Sequence, residues 1–162
     1  MKILHLRKKL NKSTLFLLFT LSVSLLSCSN KETFSEFHSF SNSEWDKSDT
    51  AKFEVVISNN VDYEVSLQIR NNNDYSFRNL WLFVDCTNPT GQTRHDSINV
   101  ELADVYGNWY GKGISLYSLT IPYENIQQQD SGLYRYSIRH GMREDVLKGI
   151  SDIGLTVSKK TD

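Results

Sequence analysis

Between Tyr63 and Arg70 the chain alternates strictly, with Tyr63, Val65, Leu67 and Ile69 separated by Glu64, Ser66, Gln68 and Arg70. A period of two puts the four apolar side chains on one side of an extended strand and the polar ones on the other. One face is core and the other is wet. Phe53, Val55 and Ile57 carry the same pattern just before it, and Asn59, Asn60, Val61 and Asp62 between the two read as the turn of a hairpin. Leu80 to Val84 is a continuous apolar run bounded by Asn-rich and Asp-rich punctuation, which predicts a central strand covered on both faces. A turn at Thr87 to Gly91 leads to the alternating Ile98, Val100 and Leu102. Ile114 to Ile121, Leu133 to Arg139 and Leu155 to Ser158 supply three more strands, about seven in all. The only helical turn expected lies near Arg143 to Lys148. Short strands with turn signals between them predict an all-β fold: one antiparallel β-sandwich, of jelly-roll or Greek-key type, over residues 45–162. No repeat or low-complexity tract divides it.

The first 27 residues have a different purpose. Lys2, Arg7, Lys8, Lys9 and Lys12 make a basic start, and the apolar run from Leu15 to Leu26 follows. This is the form of a secretory signal peptide. At 12 residues the run is too short to span a bilayer, which takes about 20. Leu25, Leu26 and Ser27 then lead into Cys28, an arrangement similar to a lipobox. The Cys28 thiol is the side chain there nucleophilic enough to take a diacylglyceryl group, and small Ser27 opens the preceding bond to the peptidase. Two or more acyl chains hold a protein stably at a membrane, whereas one does so marginally. Residues 28–44 read as the acylated cysteine and a tether. Phe34, Phe37 and Phe40 recur in it every third residue, either to dock on the domain or the membrane surface or as part of a disordered spacer.

Cleavage before Cys28 leaves 135 of the 162 residues, enough for one domain with a real core. Five of the 18 basic residues and none of the 19 acidic ones are lost with the leader, so the mature chain is acidic by about six charges. That disfavours nucleic acid as a partner. With Cys28 acylated, Cys86 has no intramolecular partner, and the fold must stand on its core without a disulfide. At the end of an apolar strand, Cys86 reads as a buried, inert thiol.

Catalytic signatures are missing. There is no His-Glu-x-x-His helix, no Cys-x-x-Cys pair, no Gly-x-Ser-x-Gly elbow and no phosphate-cradling glycine loop, so neither metal nor cofactor is expected and the chain does not read as an enzyme. His38, His95 and His140 are scattered, and Asp85, Asp96, Asp104 and Asp152 read as solvated loop and strand-face residues rather than a glycosidase pair.

Two segments stand out. Asp104 to Gly113 holds Tyr106, Trp109 and Tyr110 together with three glycines, which suits either a ligand surface or a turn whose Trp109 plugs the core. A small sandwich needs its aromatics inside, which favours the plug. In the second segment, Gly141 breaks a strand after Arg139 and His140, Met142 fills an end of the core, and Arg143 pairs with an acid or meets a partner. Tyr106, Trp109, Tyr110, Arg139 and Arg143 are therefore the candidate partner or ligand surface.

Taken together these residues resemble the GldH family of gliding-motility lipoproteins of the Bacteroidetes. The pattern runs from Trp45 through Arg70, Tyr75, Phe77, Asn79, Leu80, Pro89, Gly91 and Asp96. It continues with Asp104, Gly107, Trp109, Gly111, Gly113, Gly132 and Tyr134, and ends on Met142, Arg143, Gly149, Ile150, Asp152 and Gly154. The resemblance implies an accessory lipoprotein of the gliding and type IX secretion machinery, without catalytic residues, whose partners are other envelope proteins. Ser29 stands where an inner-membrane retention signal would have Asp, and the flank is too weakly acidic for a surface signal. The expected location is the periplasmic face of the outer membrane. The alternative function is a glycan-binding or peptidoglycan-binding module that uses Tyr106, Trp109 and Tyr110.

Overall fold

The alternation at Tyr63 becomes strand β4 (Tyr63–Asn72), with Tyr63, Val65, Leu67 and Ile69 all at most 1% exposed. The structure, a computed structural model, describes residues 32–126 and 131–160. The leader and Cys28 lie outside them. The other strands are β1 (Glu32–Ser39), β2 (Glu44–Asp46), β3 (Ala51–Ile57), β5 (Asn79–Thr87), β6 (Thr93–Glu101), β7 (Lys112–Gly113), β8 (Leu116–Ile126), β9 (Gly132–His140), β10 (Val146–Lys148) and β11 (Ile150–Lys159). They form two antiparallel sheets, β1-β11-β4-β8-β7 and β3-β9-β5-β6, with a small β10-β2 pair at one end. The inward side chains of both sheets make one apolar layer, and the chain is an all-β sandwich as its patterning requires. All seven expected strands are present.

Four local expectations change. β3 and β4 are not a hairpin: β3 pairs with β9, whereas β4 pairs with β11 and β8, so the 58–62 segment arches from one sheet to the other. Alternation is satisfied equally by strands that pair and by strands that face each other. β5 is central in its sheet, between β9 and β6, but it is not covered on both faces. Leu80, Leu82 and Val84 are buried, while Trp81 and Phe83 point outward and are 41% and 38% exposed. A two-layer domain has no third layer to cover them.

The third change concerns residues 28–44. Glu32–Ser39 is strand β1, paired with β11 from Ser158 to Asp152, so the sandwich begins at Glu32 rather than at residue 45. Of the two readings of the phenylalanines, docking on the domain holds. Phe40 is buried in the core and Phe34 packs against it. The Phe37 ring sits over Gly154 so closely that a Cβ there would fall 2.6 Å from it, and the Arg70 guanidinium stands 3.7 Å above the ring centre. The fourth change is the helical turn, found as a 3-10 turn at Ser41–Ser43 rather than near Arg143. The backbone of Val146–Lys148 is taken up by the ladder to Glu44–Asp46.

That ladder closes one end of the sandwich over Trp45, which is fully buried opposite Leu147. Its indole stacks on Phe40 with ring centres 4.5 Å apart and donates to the Asp49 carbonyl at 2.9 Å. Beside it His140, 1% exposed, meets Trp45 edge-on at 5.3 Å. Neither His140 ring nitrogen makes a regular hydrogen bond among the described residues, although the Trp45 and Asp145 backbone groups lie close enough to favour its charged form slightly. Burial, reinforced by the Lys47 charge, lowers the His140 pKa below its ordinary value of 6.5.

Two outcomes are expected. Removing the indole with Trp45→Ala leaves a void at a closed end of the core and should cost about 3–5 kcal/mol, read as a large fall in denaturation midpoint. A lowered His140 pKa means that stability is intact above pH 6.5 and falls as the pH drops, because the unfolded chain takes up a proton that the native state resists. His140→Phe should flatten the fall of the melting temperature as the pH drops below 6.5. An unchanged slope in that variant would refute the assignment.

Candidate interaction surface

Strand register sorts the loops to two ends. Glu32 pairs with Ser158, Lys159 with Tyr63 and Tyr63 with Ile126, so the start of β1 lies at the end that also carries the 58–62 arch. The opposite end collects Ser39, Asn72 and Leu116 from one sheet and Ala51, Asn79, Glu101 and His140 from the other. Tyr106, Trp109, Tyr110 and Arg143 all belong to loops of this second end.

The 104–113 loop is held by Asp104. Its carboxylate accepts from the backbone N–H of Tyr106 and Asn108, at 2.8 and 2.9 Å, and from the Asn108 side chain at 2.8 Å. These bonds, the Asn108 side chain foremost, keep its pKa below the ordinary value. Trp109 faces inward, bridging to Ala103, donating from Nε1 to Asn73 at 3.1 Å and leaning on Tyr75 and Tyr117. Tyr106 is 87% and Tyr110 57% exposed, with Val105 and Ile114 beside them in the chain and also exposed. Trp109 therefore packs against the core while Tyr106 and Tyr110 beside it stay open. The fully buried tryptophan plug, however, is Trp45.

Arg139 and Arg143 belong to a different feature. On the outer face of β5, Trp81 and Phe83 floor a groove of about 610 Å³ walled by Phe77, Met142, Arg143 and Glu144. The Trp81 N–H donates to the Met142 sulfur at 3.4 Å, and the Phe83 ring lies so close to Gly141 that a Cβ would stand 2.8 Å from it. Any larger residue at 141 would push the ring outward. The Arg139 guanidinium stands 5.7 Å from the Phe83 ring centre and 3.8 Å from Asp85, which also holds His95 at 2.6 Å. A chain of ring contacts from Trp109 through Tyr75 to Phe77 runs from the 104–113 loop to the groove wall. Sequence reading missed Trp81 and Phe83 because it took their run as apolar throughout. The usable signal is that the aromatics fall on one parity and the aliphatics Leu80, Leu82 and Val84 on the other.

A polar cluster lies toward the β1 end. A bulge in β8, where Ser66 pairs with Pro122 and Val65 with Glu124, leaves Tyr123 as the extra residue, so two consecutive side chains reach the other sheet. Arg94 of β6 donates to Asp96, Tyr123 and Glu124 at 2.8–2.9 Å, and the Tyr136 hydroxyl donates to the second Glu124 oxygen at 2.7 Å. The Cys86 thiol faces the same oxygen at 3.7 Å, and burial followed by the Glu124 charge pushes its pKa up to about 12. Such a thiol stays protonated near neutrality, in keeping with an inert buried cysteine. The other residues considered for chemistry are separately engaged: Asp152 accepts from Ser39, His38 meets Asp49, and Asp96 binds Arg94 and Tyr123. Among the described residues no three His, Cys, Asp or Glu side chains stand together as metal ligands.

Residues 32–157 match the family model of the GldH lipoproteins. A gliding motility lipoprotein GldH homolog of Christiangramia forsetii is 32% identical over 160 residues, covering 91% of this chain and 95% of that protein. The gliding motility lipoprotein GldH of Flavobacterium johnsoniae is 28% identical over 152 residues, covering 89% and 95%. Among solved structures, one of infectious bursal disease virus aligns with a TM-score of 0.35 at 10% identity, covering 78% of this chain and 33% of the viral one. The sequence likeness extends over the whole sandwich described above, and on that ground the chain belongs to the GldH lipoprotein family.

Proposed function

We propose that this protein is a lipid-anchored, non-enzymatic accessory of the envelope machinery for gliding and type IX secretion, held through acylated Cys28 at the periplasmic face of the outer membrane. Membership of a lipoprotein family supports the anchor, and the names of its relatives support the link to gliding. The observation that carries the reading is the opposition of the two ends. Cys28 stands only four residues before Glu32 in the chain. The exposed Tyr106 and Tyr110 lie at the other end of the strands. A lipid at Cys28 thus leaves that end turned toward other envelope proteins. The paired or buried state of Cys86, Asp96, Glu124 and Asp152 favours support of assembly or stability over catalysis.

Crosslinking in intact envelopes, followed by pull-down, tests the partner role. Tyr106→Ala with Tyr110→Ala should leave the melting temperature within a degree or two and abolish capture, as expected of aromatic hot spots. Trp109→Ala should lower the melting temperature instead, since the indole bonds Asn73 and packs on Tyr75 and Tyr117. Normal capture and secretion in the stable double variant would remove the loop as a contact site. For placement, protease added to intact cells should spare the domain. Its removal by shaving would put it on the cell surface.

A further inference from the structure

Trp81 and Phe83 are the large aromatic side chains left open on the outer face of their sheet, with polar residues as their cross-strand neighbours on β6. Opposite them on β6 stand Asn99 and Ser97, and Arg139 lies beside Phe83 on β9. The two rings sit two residues apart on one strand, about 6.6 Å along its axis, so they form a short track rather than a broad patch. At 41% and 38% exposure they offer together roughly 150–200 Å². A stable protein interface takes about 800 Å² from each partner. The open ring area is of the size of one or two sugar rings and falls well short of that.

We propose that this face binds the amino-sugar chain of peptidoglycan. The C–H face of a pyranose stacks on the negative face of an aromatic ring, and Trp81 and Phe83 provide two such faces in succession. Next to Trp81, Phe77 and Met142 make an apolar niche for an acetamido methyl group. The Asn79 side-chain amide donates to Asn99 at 2.7 Å, which fixes both amides beside the track and leaves Asn79 Oδ1 for a ligand hydroxyl or N–H. Arg143 makes no ion pair or hydrogen bond among the described residues and can take a carboxylate, which muramic acid carries and N-acetylglucosamine lacks. Gly141 keeps the Phe83 ring seated, because a side chain there would lift it out of line. As to source, the proposal rests on the periplasm-facing placement given above, whereas the binding chemistry does not.

The experiment titrates the purified full-length mature protein in detergent with two probes, followed by tryptophan fluorescence and calorimetry. The first is a soluble muramic-acid-containing tetrasaccharide from digested peptidoglycan, and the second is the N-acetylglucosamine tetramer. Saturable binding of both is expected, tighter for the first. Trp81→Ala should weaken both at least tenfold with an unchanged melting temperature, Asn99→Ala should weaken both to a smaller degree, and Arg143→Ala should erase the preference for the first. Tyr106→Ala with Tyr110→Ala should bind like the wild type. No saturable binding by the folded wild type, or full affinity in Trp81→Ala and Asn99→Ala, overturns the proposal. So does loss of a crosslinked protein partner in Trp81→Ala without any sugar binding, which would assign the face to a protein. Shaving of intact cells reports placement independently, so failure of the sugar site and failure of the location are told apart.

Discussion

Cys86 is buried and unpaired, so no covalent bridge joins the two sheets, and the apolar layer between them carries that burden. Most connections reinforce it. Apart from the β5-β6 and β7-β8 hairpins, consecutive long strands lie in opposite sheets, so folding either sheet alone is impossible without placing strands of the other. The ends of the layer are where water would enter. At one end the β2-β10 pair lays Trp45 and Leu147 across the opening. At the other, the bulge in β8 delivers Tyr123 and Glu124 to Arg94 and Tyr136, a polar clasp in place of a lid.

The two closures differ in how they treat ionisable groups. Glu124, 13% exposed, accepts from both Arg94 and Tyr136, so its charge is met on both oxygens. A partly buried carboxylate with that many donors strengthens the end it occupies, although removing one donor leaves the rest costly to keep. His140 has no such company and is accommodated as a neutral ring against Trp45. One end is thus closed by a charged, hydrogen-bonded network and the other by aromatic rings around a neutral imidazole.

Much of this was legible in the sequence. Tyr63 to Arg70 fixes a half-buried strand and its face without any knowledge of neighbours, because period two is a property of the strand itself. Which strand lies beside it is not such a property, and Phe53 to Ile57 shows the limit: its pattern fits pairing with β4 or a place in the opposite sheet, and it lies in the opposite sheet. The Leu80 to Val84 run failed for a related reason. Counting apolar residues merges the buried Leu82 with the exposed Phe83, whereas burial depends on how many layers the domain has. Phe34, Phe37 and Phe40 were too sparse to announce a strand, since β1 draws its register from β11 rather than from its own composition. Of the candidate surface, Tyr106 and Tyr110 were recognisable from composition, and Trp81 and Phe83 were not.

Strand β1 is an edge strand, bonded only to β11 and antiparallel to it from Glu32 to Ser39. A tug applied at Glu32 and resisted at the far end of the domain runs along this ladder rather than across it. Every bond between β1 and β11 then shares the load in shear, where a pull at right angles would peel them apart one after another. Phe40, locked under Trp45 at the end of the strand, and Phe37, pressed on Gly154 beneath Arg70, act as stops against sliding. The strand from Glu32 to Ser39 is thereby built to bear load along its length rather than across it.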